Sequence, residues 1–391
     1  MCFYIFLPNT VISEDLKQVS IFLLRMDNDF EQKIRKKYTG IVLEKKFSQE
    51  RAIKMALKEN KIKLKNLNIR LESLNIIVSD AQDAIKQIKQ KSKPGSVIIL
   101  DIPFKIMSEI LRDMDNKSYV FINARNRNVS LREEYCKVNL FHTIPSERMY
   151  ADSLSQFLIT NNWKDIIVLY GDSEKDLQAL DSLLKSGKKF GLKIKSKKKF
   201  SLSKNPKDRD SNNSKTITGG ASYDAIIIFD DHGEYSRTLP FNTFLPRPIM
   251  GQVGLMPKAW HWSWERYGAP QLNQRFDRKI NFTDKDNKKR NMLDTDWAAW
   301  AAIKAIVEAL KLNSKKPNIK FNELFRNKNL NIDLYKGSSG SFRNWNNQLR
   351  QPILLTTHNA VISKMPNEKF LHREFIEDTI GIDKQQSECV F

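Results

Sequence analysis

The 391-residue chain has only three cysteines, Cys2, Cys136 and Cys389. None falls in a C-x-x-C or another zinc spacing, which argues against metal ligation by thiolates. No stretch approaches the roughly 18 consecutive apolar residues of a membrane-spanning helix. G-x-S-x-G, H-E-x-x-H and a Walker loop are all missing. His142, His261, His358 and His372 are dispersed, with no carboxylate at motif spacing, so no catalytic histidine is indicated. The glycine-containing segment GSSGS (residues 337–341) does not lead from a buried strand into a helix, so it reads as a turn rather than a phosphate cradle. The chain is therefore expected to be non-enzymatic, with no cofactor and no metal. A two-lobed enzyme such as a glycosyltransferase ranks low, because no acid–base pair or nucleotide loop is legible.

Carboxylates are scarce relative to cations. Forty-five acidic residues face 66 Lys and Arg, a formal net charge of +21. Such a balance raises nucleic acid, anionic membranes and acidic ligands as partners. The excess is mostly lysine, spread over many segments with asparagine and isoleucine, as an AT-rich coding sequence also produces. It reads as compositional background, and no specific nucleic-acid partner is expected. With 40% hydrophobic and 28% charged residues the chain is globular, and its length suggests two or three domains. The start, MCFYIFLP (residues 1–8), is apolar but short, with no basic n-region and no small-residue cleavage site. Residues 1–18 are expected to be a leader or its remnant. With a genuine leader the protein is periplasmic; without one it is cytoplasmic.

What is present is a rhythm of short apolar runs and amphipathic helices. Strands are expected at 19–24, 68–74, 97–100 and 119–122, with helices at 49–63, 79–90 and 104–114. A second series follows: helix 146–161, strand 166–170, helix 173–190 stopped by Gly191, and strand 225–229. Uninterrupted apolar strands alternating with helices predict parallel sheets covered on both faces, an α/β chain of two doubly wound lobes. Residues 201–220, rich in Ser, Asn, Lys and Asp, read as a surface loop. The segment from Asp294 to Leu310 predicts a helix capped by Asp294 or Thr295, its tryptophans in the core.

In open α/β lobes, ligands lie beyond the carboxyl ends of strands. Those positions hold Arg25, Asp101, Arg125, Tyr170 with Asp172, and Asp230-Asp231-His232. Arg25 and Arg125 suit a carboxylate or phosphate, while Asp230 and Asp231 suit a cation or amine. The alternative for each is an ordinary solvated loop residue. WHWSWERYGAPQLNQRF (residues 260–276) gathers three of the seven tryptophans. Its amides fit a hydrogen-bonded helix end better than a phosphate track, so its indoles are expected to pack on the sheet or on the 296–310 helix, or to brace a hinge.

Several stretches resemble one family. They are NLFHTIPSERMYADSLSQFL (139–158), PRPIMGQVGLMPKAWHWSWERYGAPQLNQRF (246–276), DWAAWAAIKAIVEAL (296–310), SFRNWNNQLRQPILLTTHNAV (341–361), FLH (370–372) and DTIGID (378–383). Together they are similar to ABC-transporter substrate-binding proteins associated with pyrroloquinoline-quinone-dependent alcohol dehydrogenase systems, a branch of the branched-chain amino-acid-binding-like, type I periplasmic binding proteins. The resemblance is specific from about residue 119 onward. It implies two lobes, three crossovers, a hinge and an interlobe cleft, with residues 19–145 plus 258–331 in the first lobe and 146–257 plus 332–391 in the second. It implies capture of a small organic ligand and docking on a membrane ABC permease. Carried over by position, the ligand contacts are Asp101, Ile102, Pro103, Asn123, Ala124, Arg125, Tyr170, Asp172, Asp230 and Asp231. Asp101 and Arg125 depart from the small hydroxyl residues of branched-chain binders, which argues against an aliphatic amino acid. Three reduced, unrelated thiols are the first reading of the cysteines; the alternative is a Cys136–Cys389 disulfide that ties the tail across the hinge, with Cys2 left over. The other functional reading is a cytosolic, basic α/β protein that binds an anionic metabolite or nucleic acid.

Overall fold

The computed structural model describes residues 17–29, 47–114, 118–201, 212–278, 290–313 and 320–391. Cys2 and nearly all of the expected leader lie outside them. Lys17 and Gln18, counted with that leader, are the first residues of a strand paired with Ile69 and Arg70.

Five parallel strands form the first sheet: β1 (Lys17–Met26), β2 (Ile69–Val78), β3 (Val97–Asp101), β4 (Val120–Asn123) and β5 (Leu140–His142). Their order is β2-β1-β3-β4-β5, with β1 at the point where the winding reverses. Strand alternation sends Ile21, Leu23, Ile99 and Ile122 to one core and Phe22, Leu24, Ile98 and Phe121 to the other. The first core is covered by α1 (Glu50–Asn66), the second by α2 (Ala81–Lys91) and α3 (Phe104–Asp113). Burial on both faces is why β3 and β4 read as unbroken apolar runs.

The chain then enters α4 (Glu147–Thr160), capped by Ser146, whose hydroxyl accepts the Met149 N–H at 3.2 Å. A second parallel sheet follows, built from β6 (Asp165–Tyr170), β7 (Lys193–Lys199), β8 (Ala225–Phe229) and β9 (Ile249–Gly251) in the order β7-β6-β8-β9. α5 (Glu174–Phe190) starts in a Ser173–Asp176 capping box and ends at Gly191, whose φ of 76° is the left-handed cap that glycine favours. The expected loop at 201–220 contains a short helix, α6 (Ser214–Thr218); its residues 202–211 lie outside the described ones.

Beyond β9 the chain makes β10 (Met256–Lys258), α7 (Ala269–Asp277), α8 (Asp294–Leu312), α9 (Phe321–Phe325) and the hairpin of β11 (Ile332–Asp333) and β12 (Ser339–Gly340). β13 (Ile353–Thr356) and β14 (Val361–Met365) then join β10 in a small antiparallel sheet. α8 packs on α1 in the core of the first sheet, where residues 296–307 with Ala309 and Leu310 are buried. Its start is fixed by Asp296, which accepts the Leu293 N–H at 2.9 Å, rather than by Asp294 or Thr295. That leaves Asp294 free for another task. Among the described residues the chain passes from the first core to the core of the second sheet between Ile144 and Leu154 and back between Leu255 and Ala259, and the strand β13 serves both, with Leu354 in the first core and Leu355 in that of the second sheet. Ile332, Leu334, Phe342 and Leu349 belong to the first core, although the expected boundary assigned residues from 332 onward to the second lobe.

Candidate functional site

A cleft of about 490 Å³ opens at the carboxyl ends of both sheets. One wall holds Asp101, the loop from Arg125 to Asn128, Trp260 to Trp262 and the first turn of α8. The other holds the first turns of α4 and α5 with Phe229, Asp230 and Asp231. This placement follows from the winding: in a parallel sheet every strand end and every following helix start faces the same edge.

Four of the ten expected contacts line this cleft: Asp101, Arg125, Asp230 and Asp231. Arg125 is paired with the carboxylates of Asp29 and, at 3.5 Å, Asp101. Asp101 also accepts the Gln49 N–H at 3.2 Å; burial raises its pKa and Arg125 opposes the rise. These groups brace the floor of the first lobe. Asp230 is buried and accepts the Ser236 N–H at 2.8 Å, closing its own loop. Asp231 faces Lys175 at 3.8 Å.

The other six do not line the cleft. Ile102 and Ala124 are in the hydrophobic cores, and Pro103 immediately precedes α3 at its N-cap. Asn123 folds the loop behind it: its Oδ1 accepts the N–H groups of Arg125 (3.1 Å) and Asn126 (2.8 Å). Tyr170 is half-buried at the end of β6, and Asp172 is exposed before α5. Short apolar strands locate the edge of a sheet but not which residue of the following loop turns inward. Arg25, another strand-end candidate, lies 3.7 Å from Glu50.

Residues that the strand-end rule missed complete the site. Arg127 pairs with Glu147 at 2.9 Å and lies over the Tyr150 ring, 5.2 Å from its centroid. The Tyr150 hydroxyl donates to Asp294 Oδ2 at 3.1 Å, and the Trp260 N–H donates to Oδ1 at 3.0 Å. Burial and the Asp294 charge push the Tyr150 pKa well above its usual value, so it remains a neutral donor. His261 accepts the Ser263 N–H on Nδ1 at 3.3 Å; burial and nearby Lys258 lower its pKa, which keeps it neutral. Trp262 leaves 43% of its surface open, the most exposed tryptophan of the 260–264 cluster. The readable signal for these groups was their position in a first helical turn or crossover.

The 260–276 segment begins in turns and becomes helical only at Ala269. Trp260 stacks on Trp297 with centroids 6.2 Å apart, and its indole N–H donates to Asn273 Oδ1 at 2.9 Å. Trp264 donates to the Tyr335 carbonyl at 3.0 Å. The cluster is thus two core indoles and one ring offered to the cleft. Cys136 and Cys389 form a disulfide with Cα atoms 5.8 Å apart.

No protein-family model and no curated protein matches the chain in sequence. Solved structures do match in fold. An amino-acid ABC transporter substrate-binding protein from Pseudomonas fluorescens Pf-5 is 9% identical, with a TM-score of 0.66 over 96% of this chain and 100% of its own. An ABC-transporter solute-binding protein from R. palustris, in complex with benzoate, is 9% identical, with a TM-score of 0.63 over 96% and 100%. A branched-chain amino-acid transporter substrate-binding protein from Streptococcus pneumoniae, in complex with isoleucine, is 12% identical, with a TM-score of 0.61 over 89% and 99%. These likenesses and the two parallel sheets agree: the chain has the type I periplasmic-binding-protein fold, two α/β lobes facing each other across a cleft.

Proposed function

We propose that this chain is the solute-binding component of an ABC importer, which captures a small organic ligand in the interlobe cleft and presents it to a membrane permease. The observation that carries this reading is the cleft itself, set at the strand ends of both lobes and spanned by Tyr150 and Asp294. Benzoate and isoleucine in the neighbouring structures give the scale of ligand such a fold takes. The first lobe comprises residues 17–145 with 258–354, and the second 146–257 with 355–391, following the cores to which Leu354 and Leu355 belong. Arg127, Tyr150, Trp262 and Asp231 face the ligand; Asp101, Arg125 and Asp230 hold the walls. The link to pyrroloquinoline-quinone-dependent alcohol metabolism, and a periplasmic location, rest on the sequence stretches within 139–383 that resemble that subfamily. The structural likenesses lend no support to a cytosolic nucleic-acid binder.

Closure follows hinge motion, the usual response of a two-lobed binder. The test is native mass spectrometry of the purified protein for a bound small molecule, followed by calorimetric titration of that molecule. Trp262→Ala should weaken its binding while leaving the melting temperature close to wild type, because the ring is largely exposed. Absence of any co-purifying molecule, with no binding across a panel of small carboxylates, amines and alcohols, would sink the proposal.

A further inference from the structure

The end of the chain lies against the hinge on the side away from the cleft. α4 turns Glu147, Tyr150, Ala151 and Leu154 toward the cleft. With 3.6 residues per turn, Met149, Asp152 and Gln156 point the opposite way. Those three hold the tail. The Gly381 N–H donates to Asp152 Oδ2 at 2.9 Å, Gln156 donates to Thr379 Oγ1 at 3.1 Å, and Met149 packs with Ile380. Lys189 of α5 pairs with Asp152 at 3.0 Å and donates to the carbonyls of Thr379 (2.9 Å) and Gly381 (3.3 Å). Gly381 has a φ of 88°, and a Cβ there would fall 2.8 Å from Met149 and 2.9 Å from Arg343, so the contact is too close for any side chain.

The same tail is fastened to the first lobe. Arg343 donates to Asp378 Oδ1 at 2.8 Å and to the Glu377 and Ile380 carbonyls at 2.7 Å. Trp345 donates to the Ile382 carbonyl at 3.1 Å. Both belong to the segment that extends the first sheet, since the Leu349 N–H donates to the His142 carbonyl at 2.8 Å and Asn347 to that of Leu140 at 2.9 Å. Farther on, Cys389 is bonded to Cys136, 253 residues earlier, in the loop between β4 and β5.

We propose that residues 376–391 form a strap across the back of the hinge, sealed by the Cys136–Cys389 bridge, which limits how far the two lobes rotate apart. The geometry makes the link mechanical. When the lobes swing, α4 and α5 move against the β4–β5 loop, and a tail anchored on both must stretch or let go. The covalent end cannot let go, so the Asp152 and Lys189 contacts are kept within reach. Cutting the bridge leaves that end held by noncovalent contacts such as the Arg343 and Trp345 hydrogen bonds, which can let go, and widens the range of lobe angles.

The experiment measures the interlobe distance in the ligand-free full chain, so its failure is separable from failure of the cleft reading. Spin labels on ketone side chains at exposed Lys105 of α3 and Leu177 of α5 report the distance by pulsed dipolar spectroscopy. A phosphine removes the bridge: one phosphine and one water yield two thiols and one phosphine oxide. In the reduced protein, and in Cys136→Ser/Cys389→Ser, the distribution should broaden and shift to longer distance. Lys189→Met, with the bridge intact, should shift it the same way by weakening the other anchor, whose hydrogen bonds are then those of Asp152 and Gln156. Should the double variant fail to fold, the phosphine arm on folded wild type still decides. An unchanged distribution after reduction, with both thiols labelled and only the melting temperature lowered, overturns the strap and leaves a simple staple.

Discussion

The Tyr150 hydroxyl of α4 donates to Asp294 at the start of α8, 3.1 Å away, across 144 residues of sequence and from one lobe to the other. Asp294 is held by the Trp260 N–H on its second oxygen, so the acceptor is fixed before the lobes meet. Tyr150→Phe keeps the ring under Arg127 but loses this bond. A hydrogen bond to a charged acceptor contributes about 1.5–3 kcal/mol, so the lobes should favour a more open arrangement and ligand affinity should fall roughly ten-fold or more. Calorimetry together with the interlobe distance checks both effects; unchanged affinity and distance would show that the bond does not govern closure.

Trp260 is a core residue as well as part of a cleft wall. It is 2% exposed, stacked on Trp297 and bonded to Asn273. Trp260→Ala should cost about 3–5 kcal/mol, as expected when a large buried ring leaves a cavity. Urea unfolding measures this directly, and a loss below 1 kcal/mol, on the order of a surface substitution, would mean that the stack contributes little.

His142 is buried at the end of β5, 3.1 Å from Asn123 Nδ2, and its pKa is pushed well below 6.5 by burial and by Arg132. The unfolded chain binds the proton at ordinary pKa while the folded chain resists it. The neutral ring therefore has no pH-dependent cost above about 6.5, and stability is lost as pH falls below it, by up to about 1.4 kcal/mol per pH unit. His142→Gln should flatten the decline of the urea midpoint between pH 7 and pH 5. An identical decline in the variant would assign it to other groups.

The +21 charge is spread over the chain, while the cleft wall carries both signs: Arg127 faces Glu147, and Lys175 faces Asp231. DNA binding should therefore be non-specific, with Kd no tighter than about 10⁻⁶ M at physiological salt. A fluorescence titration over several salt concentrations reads this, and nanomolar, sequence-selective binding would contradict it.

Much of the architecture was legible because burial on both faces writes itself into local sequence. The apolar runs at 97–100 and 225–229 are β3 and β8, and the 173–190 helix matches α5 to within a residue. β7 was unreadable for the opposite reason. Its sequence KIKSKKK occupies a sheet edge where alternate lysines stay in water, so no apolar run marks it. β5 and β9, three residues each, are too short to carry a period.

By itself the sequence determined the two strand–helix series, the edge of each sheet where a cleft can form, and the placing of the 296–310 tryptophans in a core. These depend on neighbours two to four residues apart, which periodicity records. Only the tertiary structure decided which strand-end groups face the cleft. Arg125, expected from sequence to hold a ligand anion, lines the cleft but is paired with Asp29 and Asp101, while Tyr150, within the helix expected at 146–161, meets Asp294. The physical reason is that a side chain's charge and hydrogen-bonding capacity are settled by partners 24 to 144 residues away, which come within 4 Å only when the first lobe folds, for Arg125 and Asp101, or when the two lobes meet, for Tyr150 and Asp294.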